Sequence, residues 1–109
     1  MHTDETPDLN QSMIAERELR LSNPDGSSVV VLVQIFAPIQ EEHGEYSCRY
    51  KIIGLGKNVI EQRIHGIDGI QALQLCLRII GARLSVARKK FDLTWLGTEE
   101  ENLGFPTGE

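Results

Sequence analysis

The chain has 109 residues, 40% of them hydrophobic and 25% charged, with a formal net charge of −5, the proportions of an ordinary globular chain with room for one modest core. Its acidity belongs to the ends: residues 1–13 hold three acids and no base, residues 97–109 four acids and no base, and the body between them nine acids against eleven bases. That balance gives no nucleic-acid footprint, and no apolar run approaches the roughly 18 residues of a membrane span.

Residues 1–12 are polar and aperiodic and read as a disordered arm; they lack the apolar stretch of a signal peptide, so the expected location is cytoplasmic. "MIAERELRL" (13–21) alternates, with Ala15, Leu19 and Leu21 on one parity and Arg17 as the exception among them. This suits a half-exposed strand near an edge. "NPDG" (23–26) is a hairpin turn, with Pro24 in its second position. "SVVVLVQIF" (28–36) is apolar on both parities and is expected to be a central strand covered on both faces. "APIQEEHGE" (37–45) reads as an exposed loop. In "YSCRYKIIG" (46–54), Tyr46, Cys48, Tyr50 and Ile52 point inward. After the turn "LGKN", "VIEQRIHG" (59–66) forms a fourth strand, with Ile60 and Ile64 inward and Glu61, Arg63 and His65 outward.

The period then changes to that of a helix. Asp68 is its N-cap, and Ile67 is placed to staple against the first turn. Arg83, Arg88, Lys89 and Lys90 gather toward the C-terminal end, where the helix dipole favours cations. "FDLTWL" (91–96) alternates again and offers a short fifth strand. The fold class that follows is α+β: a four-stranded antiparallel meander packed against one long C-terminal helix, within one domain over 13–106, followed by a flexible end at 107–109.

The helix "DGIQALQLCLRIIGARL" is apolar on two sides. At 100° per residue, Ile70, Leu73, Leu77, Ile80 and Leu84 form one stripe, expected to lie on the sheet; Ala72, Leu75, Ile79 and Ala82 form another. Full burial of Leu75 and Ile79 would contribute about 1.5–3 kcal/mol each, so a cover is expected. Either Phe91, Trp95, Leu96 or Phe105 folds back over them, or a second chain packs helix on helix in a symmetric dimer, or the stripe simply stands exposed, as isolated apolar residues often do.

Signs of chemistry are sparse. Cys48 and Cys76, the two cysteines, are expected to be buried free thiols in a reducing compartment. His65 could act as a base toward Cys76, but a mid-helix thiol of this sort is ordinarily inert. His43 among Glu41, Glu42 and Glu45 reads as a solvated loop rather than a metal site. "GLGK" (54–57) lacks the spacing of a phosphate loop. "ARKK" (87–90) reads as a solvated helix end, and Glu99, Glu100 and Glu101 as a solvated acidic run. No catalytic, cofactor-binding or metal residue is assigned.

Taken in order, "AERELRL", "YKIIGLG", "GIDGIQALQLCLRIIGARL", "LTWLG" and "NLGFP" resemble a small uncharacterised bacterial family, a domain of unknown function about as long as Met13 to Pro106. The resemblance implies a bacterial protein in which "LTWLG" and "LGFP" belong to the domain rather than to a tail. It implies no activity.

Two functions fit. The first is a non-enzymatic protein-interaction module, of an inhibitory or toxin-neutralising type, whose surface is Ala72, Leu75, Ile79 and Ala82 and whose partner is another protein or a second copy, with neither nucleic acid nor membrane involved. The alternative is a small-molecule binder or small enzyme with a pocket near Tyr46, Tyr50, His65 and Trp95.

Overall fold

The computed structural model describes residues 12–97 and 103–106. The expectations for the arm before Ser12, for the acidic run Glu99–Glu101 and for the end at 107–109 fall outside those residues. Strand β1 (Met13–Ser22) turns through Asn23–Ser27 into β2 (Ser28–Phe36). In the turn, Asn23 N–H donates to the Ser27 carbonyl at 2.8 Å and Gly26 N–H to the Asn23 carbonyl at 3.0 Å. The Asp25 carboxylate accepts from both the hydroxyl and the N–H of Ser27, which holds its carboxyl below the ordinary range.

At Ala37–Pro38 the chain leaves β2, and it resumes as β3 (Ile39–Gln40) along the same side of β4 (Tyr46–Ile53). A proline has no N–H for the ladder, which accounts for the break. The second hairpin turn repeats the pattern of the first: Glu41 N–H donates to the Glu45 carbonyl and Gly44 N–H to the Glu41 carbonyl. The segment expected as an exposed loop therefore contributes a short strand and a tight turn. Strand β5 (Ile60–Gly66) pairs with the other side of β4. Helix α1 (Gly69–Ala87) follows, and β6 (Asp92–Thr94) pairs antiparallel with β1. The expected meander and fifth strand are both present, and β3 brings the sheet to six strands in the spatial order β6, β1, β2 with β3, β4, β5.

The registers sort the side chains by face. Leu19, Val31, Val33, Ile35, Cys48, Tyr50, Ile52 and Ile64 share the face under α1, and all are buried. Among the described residues no helix lies on the opposite face, which corrects the expectation that β2 is covered on both sides. Val30 is exposed there and Leu32 half-buried. Phe36, on that same face, is covered by Arg49, whose guanidinium lies 4.2 Å from the ring centroid. A Gln34–Glu16 hydrogen bond and an Arg49–Glu61 ion pair add to a polar surface.

Helix α1 is capped as expected, with the Asp68 carboxylate accepting Gln71 N–H at 2.8 Å, while the Gln71 side chain accepts Ile67 N–H at 2.7 Å. Ile67 itself is exposed, so the hydrophobic staple does not form. Helix seating also differs from expectation. Ala72, Cys76, Ile80 and Leu84, at strict i+4 spacing, are the fully buried line, and Ile70 is exposed. The small residues decide this. Gly66 lies so close to the first turn that a Cβ there would sit 2.5 Å from Ala72 N, and Cys76 meets Cys48 across the interface. Leu73 and Leu77 become one shoulder of a single wide face, and Leu75 and Ile79 the other.

Replacing Gly66 by alanine forces backbone against backbone, which a side-chain rotation cannot relieve; urea unfolding of Gly66→Ala is expected to show a loss of about 1–3 kcal/mol. The hydrogen bond to Cys48, together with burial, pushes the Cys76 thiol above its ordinary value of 9.0. The same hydrogen bond draws the Cys48 thiol below 9.0, so the folded pair gives up one proton early and holds the other; the contribution of Cys76 is full below about pH 9 and is lost above it, where its unfolded thiol ionises first. Unfolding followed from pH 7 to 10 should show that decline, and it should shrink in Cys76→Ala.

Candidate interaction surface

The chain's C-terminal segment is attached through one arginine. Arg17 sits on the helix-side parity of β1, between Ala15 and Leu19, where an apolar residue would be expected. Its guanidinium lies 3.9 Å from the Trp95 ring centroid and 4.7 Å from that of Phe105, and Nη1 donates to the Leu103 carbonyl at 3.0 Å. A weakly hydrated planar cation between two rings is a favourable arrangement. Gly104 makes the approach feasible. Its φ is +86°, and a Cβ there would sit 2.3 Å from Trp95 Cζ3. Leu103 and Phe105 are thereby delivered into the core, where Phe105, Leu77, Val33 and Ile35 line a cavity of about 280 Å³.

This segment borders the Leu77 shoulder of α1, Phe105 and Leu77 lining the same cavity, and Leu77 stays half-buried. Of the residues expected to fold back over Leu75 and Ile79, Leu96 is 85% exposed, and Phe105 lies on the Leu77 side. The other shoulder stands beside β5. Ile79, Ala82, Arg83 and Val86 line a shallow groove of about 410 Å³ with Gln62 of β5. Gln62 is held from within, its Oε1 accepting Tyr50 O–H at 2.8 Å and Arg83 Nη2–H at 3.2 Å.

The four residues singled out as a surface therefore divide. Ala72 is buried against the Gly66 backbone; Leu75 and Ile79 are half-buried; Ala82 is exposed. Val86, at 65% exposure, extends the same shoulder. Leu75, Ile79, Ala82 and Val86 follow a 4-3-4 spacing, that of a helix–helix seam, and this spacing could have added Val86 from sequence alone. Over an 18-residue window the helix has a mean hydropathy of 1.3, enough by length and composition to cross a bilayer, yet only 28% of that window is buried. The helix carries more apolar surface than its own sheet uses.

The residues proposed as a pocket are not brought together. Tyr50 is buried in the core, and burial pushes its phenol up. Tyr46 packs at the core's margin, opposite Gly66. His65 projects from the exposed face opposite Ser47, and Trp95 stacks on Arg17 beyond β1. His65 and Cys76 lie on opposite sides of the sheet and form no dyad. Both cysteines are free and buried. Among the described residues no group of three or more His, Cys, Asp or Glu is placed to hold a metal ion.

Residues 15–107 match the family model described as Domain of unknown function (DUF6968). The chain belongs to this family. No curated protein and no solved structure matches it. The DUF6968 match runs from β1 past Phe105, so the Arg17 clamp and both segments that it joins lie within the domain.

Arg17→Ala should release the C-terminal segment, at a cost of about 1–3 kcal/mol. Trp95, the single tryptophan, reports on it directly: iodide quenching of its fluorescence should rise in the folded variant, and limited proteolysis should cut after Trp95 sooner than in wild type.

Proposed function

We propose that this domain is a non-enzymatic protein-interaction module whose docking surface is the outer shoulder of α1 together with the adjacent free side of β5. The observation that carries this reading is the apolar seam Leu75, Ile79, Ala82 and Val86, left open beside a strand that pairs on one side only among the described residues. A free strand edge offers backbone hydrogen bonds, and an adjoining apolar seam offers area to bury; together they suit a protein partner. A reducing cytoplasm is the setting we propose, on the strength of two contacting, unbonded cysteines in the core.

Ala82 and Val86 allow a clean test, because their side chains project from the fold. An Ala82→Asp/Val86→Asp variant is expected to unfold within about 0.5 kcal/mol of wild type, as exposed substitutions do. It should lose the proteins that wild type retains after crosslinking in source cells, while a Leu96→Asp control, altered at an exposed site elsewhere, keeps them. Equal retention by all three would overturn the reading.

A further inference from the structure

Building on the interaction reading, we infer that the partner is a second copy of this chain, joined antiparallel through β5 about a two-fold axis at Gln62. A two-fold axis perpendicular to a sheet keeps both helices on one face and must centre the strand pair on a single residue. The seven residues of β5 offer seven centres, and at Ile60, His65 or Gly66 neither Glu61 nor Arg63 faces an opposite charge. At Glu61 or at Arg63, like charges face each other across the axis. At Ile64, Arg63 meets His65. At Gln62, Glu61 faces the copy's Arg63, Arg63 faces the copy's Glu61, and Ile60 faces the copy's Ile64. That register alone pairs opposite charges on the exposed face and aligns isoleucine with isoleucine under the helices.

Existing ion pairs extend through this register. Arg63 Nη1 lies 3.7 Å from Glu41 Oε2, and Glu61 pairs with Arg49. The Arg63 and Glu61 side chains nevertheless remain 35% and 44% exposed. Joined across the axis they form an alternating row of Glu41, Arg63, the copy's Glu61 and the copy's Arg49, so no charge in the row faces its like.

The helices meet the same condition independently. Helix α1 packs on β4 and β5. With strands about 4.8 Å apart, a helix seated between those two strands lies about 10 Å from its two-fold copy, at the upper end of ordinary interaxial distances. The axis makes the two helices antiparallel. Gln62, the pivot, lines one groove with Ile79 and Ala82, the middle of the apolar seam. The strand register and the seam thus share one centre. Arg83 donates to Gln62, so the axis also brings the two Arg83 side chains near each other; the register is chosen by the Glu61–Arg63 pairs on the other face, and Arg83 has to extend along the seam, away from its copy.

Charge reversal tests the register. Wild type should sediment as a dimer, and Glu61→Arg or Arg63→Glu alone should weaken association by at least about tenfold, because each sets like charges opposite one another twice. An equimolar mixture of the two variants should recover a dimer, since every Arg then faces a Glu; that recovery also shows both variants to be folded. Gln62→Cys should form a disulfide-linked dimer under mild oxidation, and His65→Cys should not. A wild type that stays monomeric up to about 100 μM, or a mixture no tighter than its components, overturns the self-pairing. Should that happen while the Ala82→Asp/Val86→Asp variant still loses captured proteins, the docking surface stands and its partner is a different chain.

Discussion

The close seating of α1 on β4 and β5 is the constraint from which the other features follow. Large side chains at 72 and 76 would lift the helix off the sheet; alanine and cysteine there, facing Gly66 and Cys48, let it down until backbone nearly touches backbone at its first turn. Close packing is worth having because dispersion and burial both rise with contact. It also fixes the rotation of the helix about its own axis. With Cys76 at the bottom, the leucines and isoleucines on either side become shoulders of unequal fate. One faces a cavity that Phe105 of the C-terminal segment also lines, and the other stands beside β5.

Periodicity made the strands and the helix readable, and for β4 and β5 it also gave the correct inward residues. It failed on helix rotation, for a definite reason. A hydrophobic-stripe argument weighs large apolar residues, so it sets Ala72 on the outer stripe and passes over Cys76, yet small residues are the ones that permit the closest approach. The two stripes read from the sequence are the two sides of a single face, and its buried centre draws on both: Ile80 and Leu84 come from the stripe expected on the sheet, Ala72 from the other, and Cys76 from neither. Ile70 illustrates the error: apolar and on the favoured stripe, it stands exposed, because the true centre lies a third of a turn away. Strand β3 was illegible for another reason. Two residues that follow Pro38 carry no alternation to detect, and their pairing depends on β4 already being in place.

Arg17 shows what a broken pattern can signal. A charged residue on the core parity of a strand is costly unless something receives it. Here the receiving groups, Trp95, Phe105 and the Leu103 carbonyl, are about 80 residues away in sequence. The exception was visible; its solution was not, since no local rule links positions so far apart. The same clamp explains why a polar, glycine-rich stretch contributes two buried residues to the core.

The free side of β5 carries the remaining question of design. A strand edge with unpaired backbone groups invites indiscriminate pairing, and charged side chains are the usual deterrent. Glu61 and Arg63 meet that need on a lone chain, and Arg49 and Glu41 hold them against their own sheet. Opposite charges two residues apart do more than deter. In an antiparallel partner of identical sequence they are complementary in one register and opposed in those on either side, so the same two residues reject most strands and select one. The apolar seam of α1 has no such discrimination of its own, since Leu75, Ile79, Ala82 and Val86 would bury against almost any apolar surface of suitable shape. In the self-pairing proposed above, specificity would therefore reside in the strand and association energy in the helix, with Gln62 placing the two side by side.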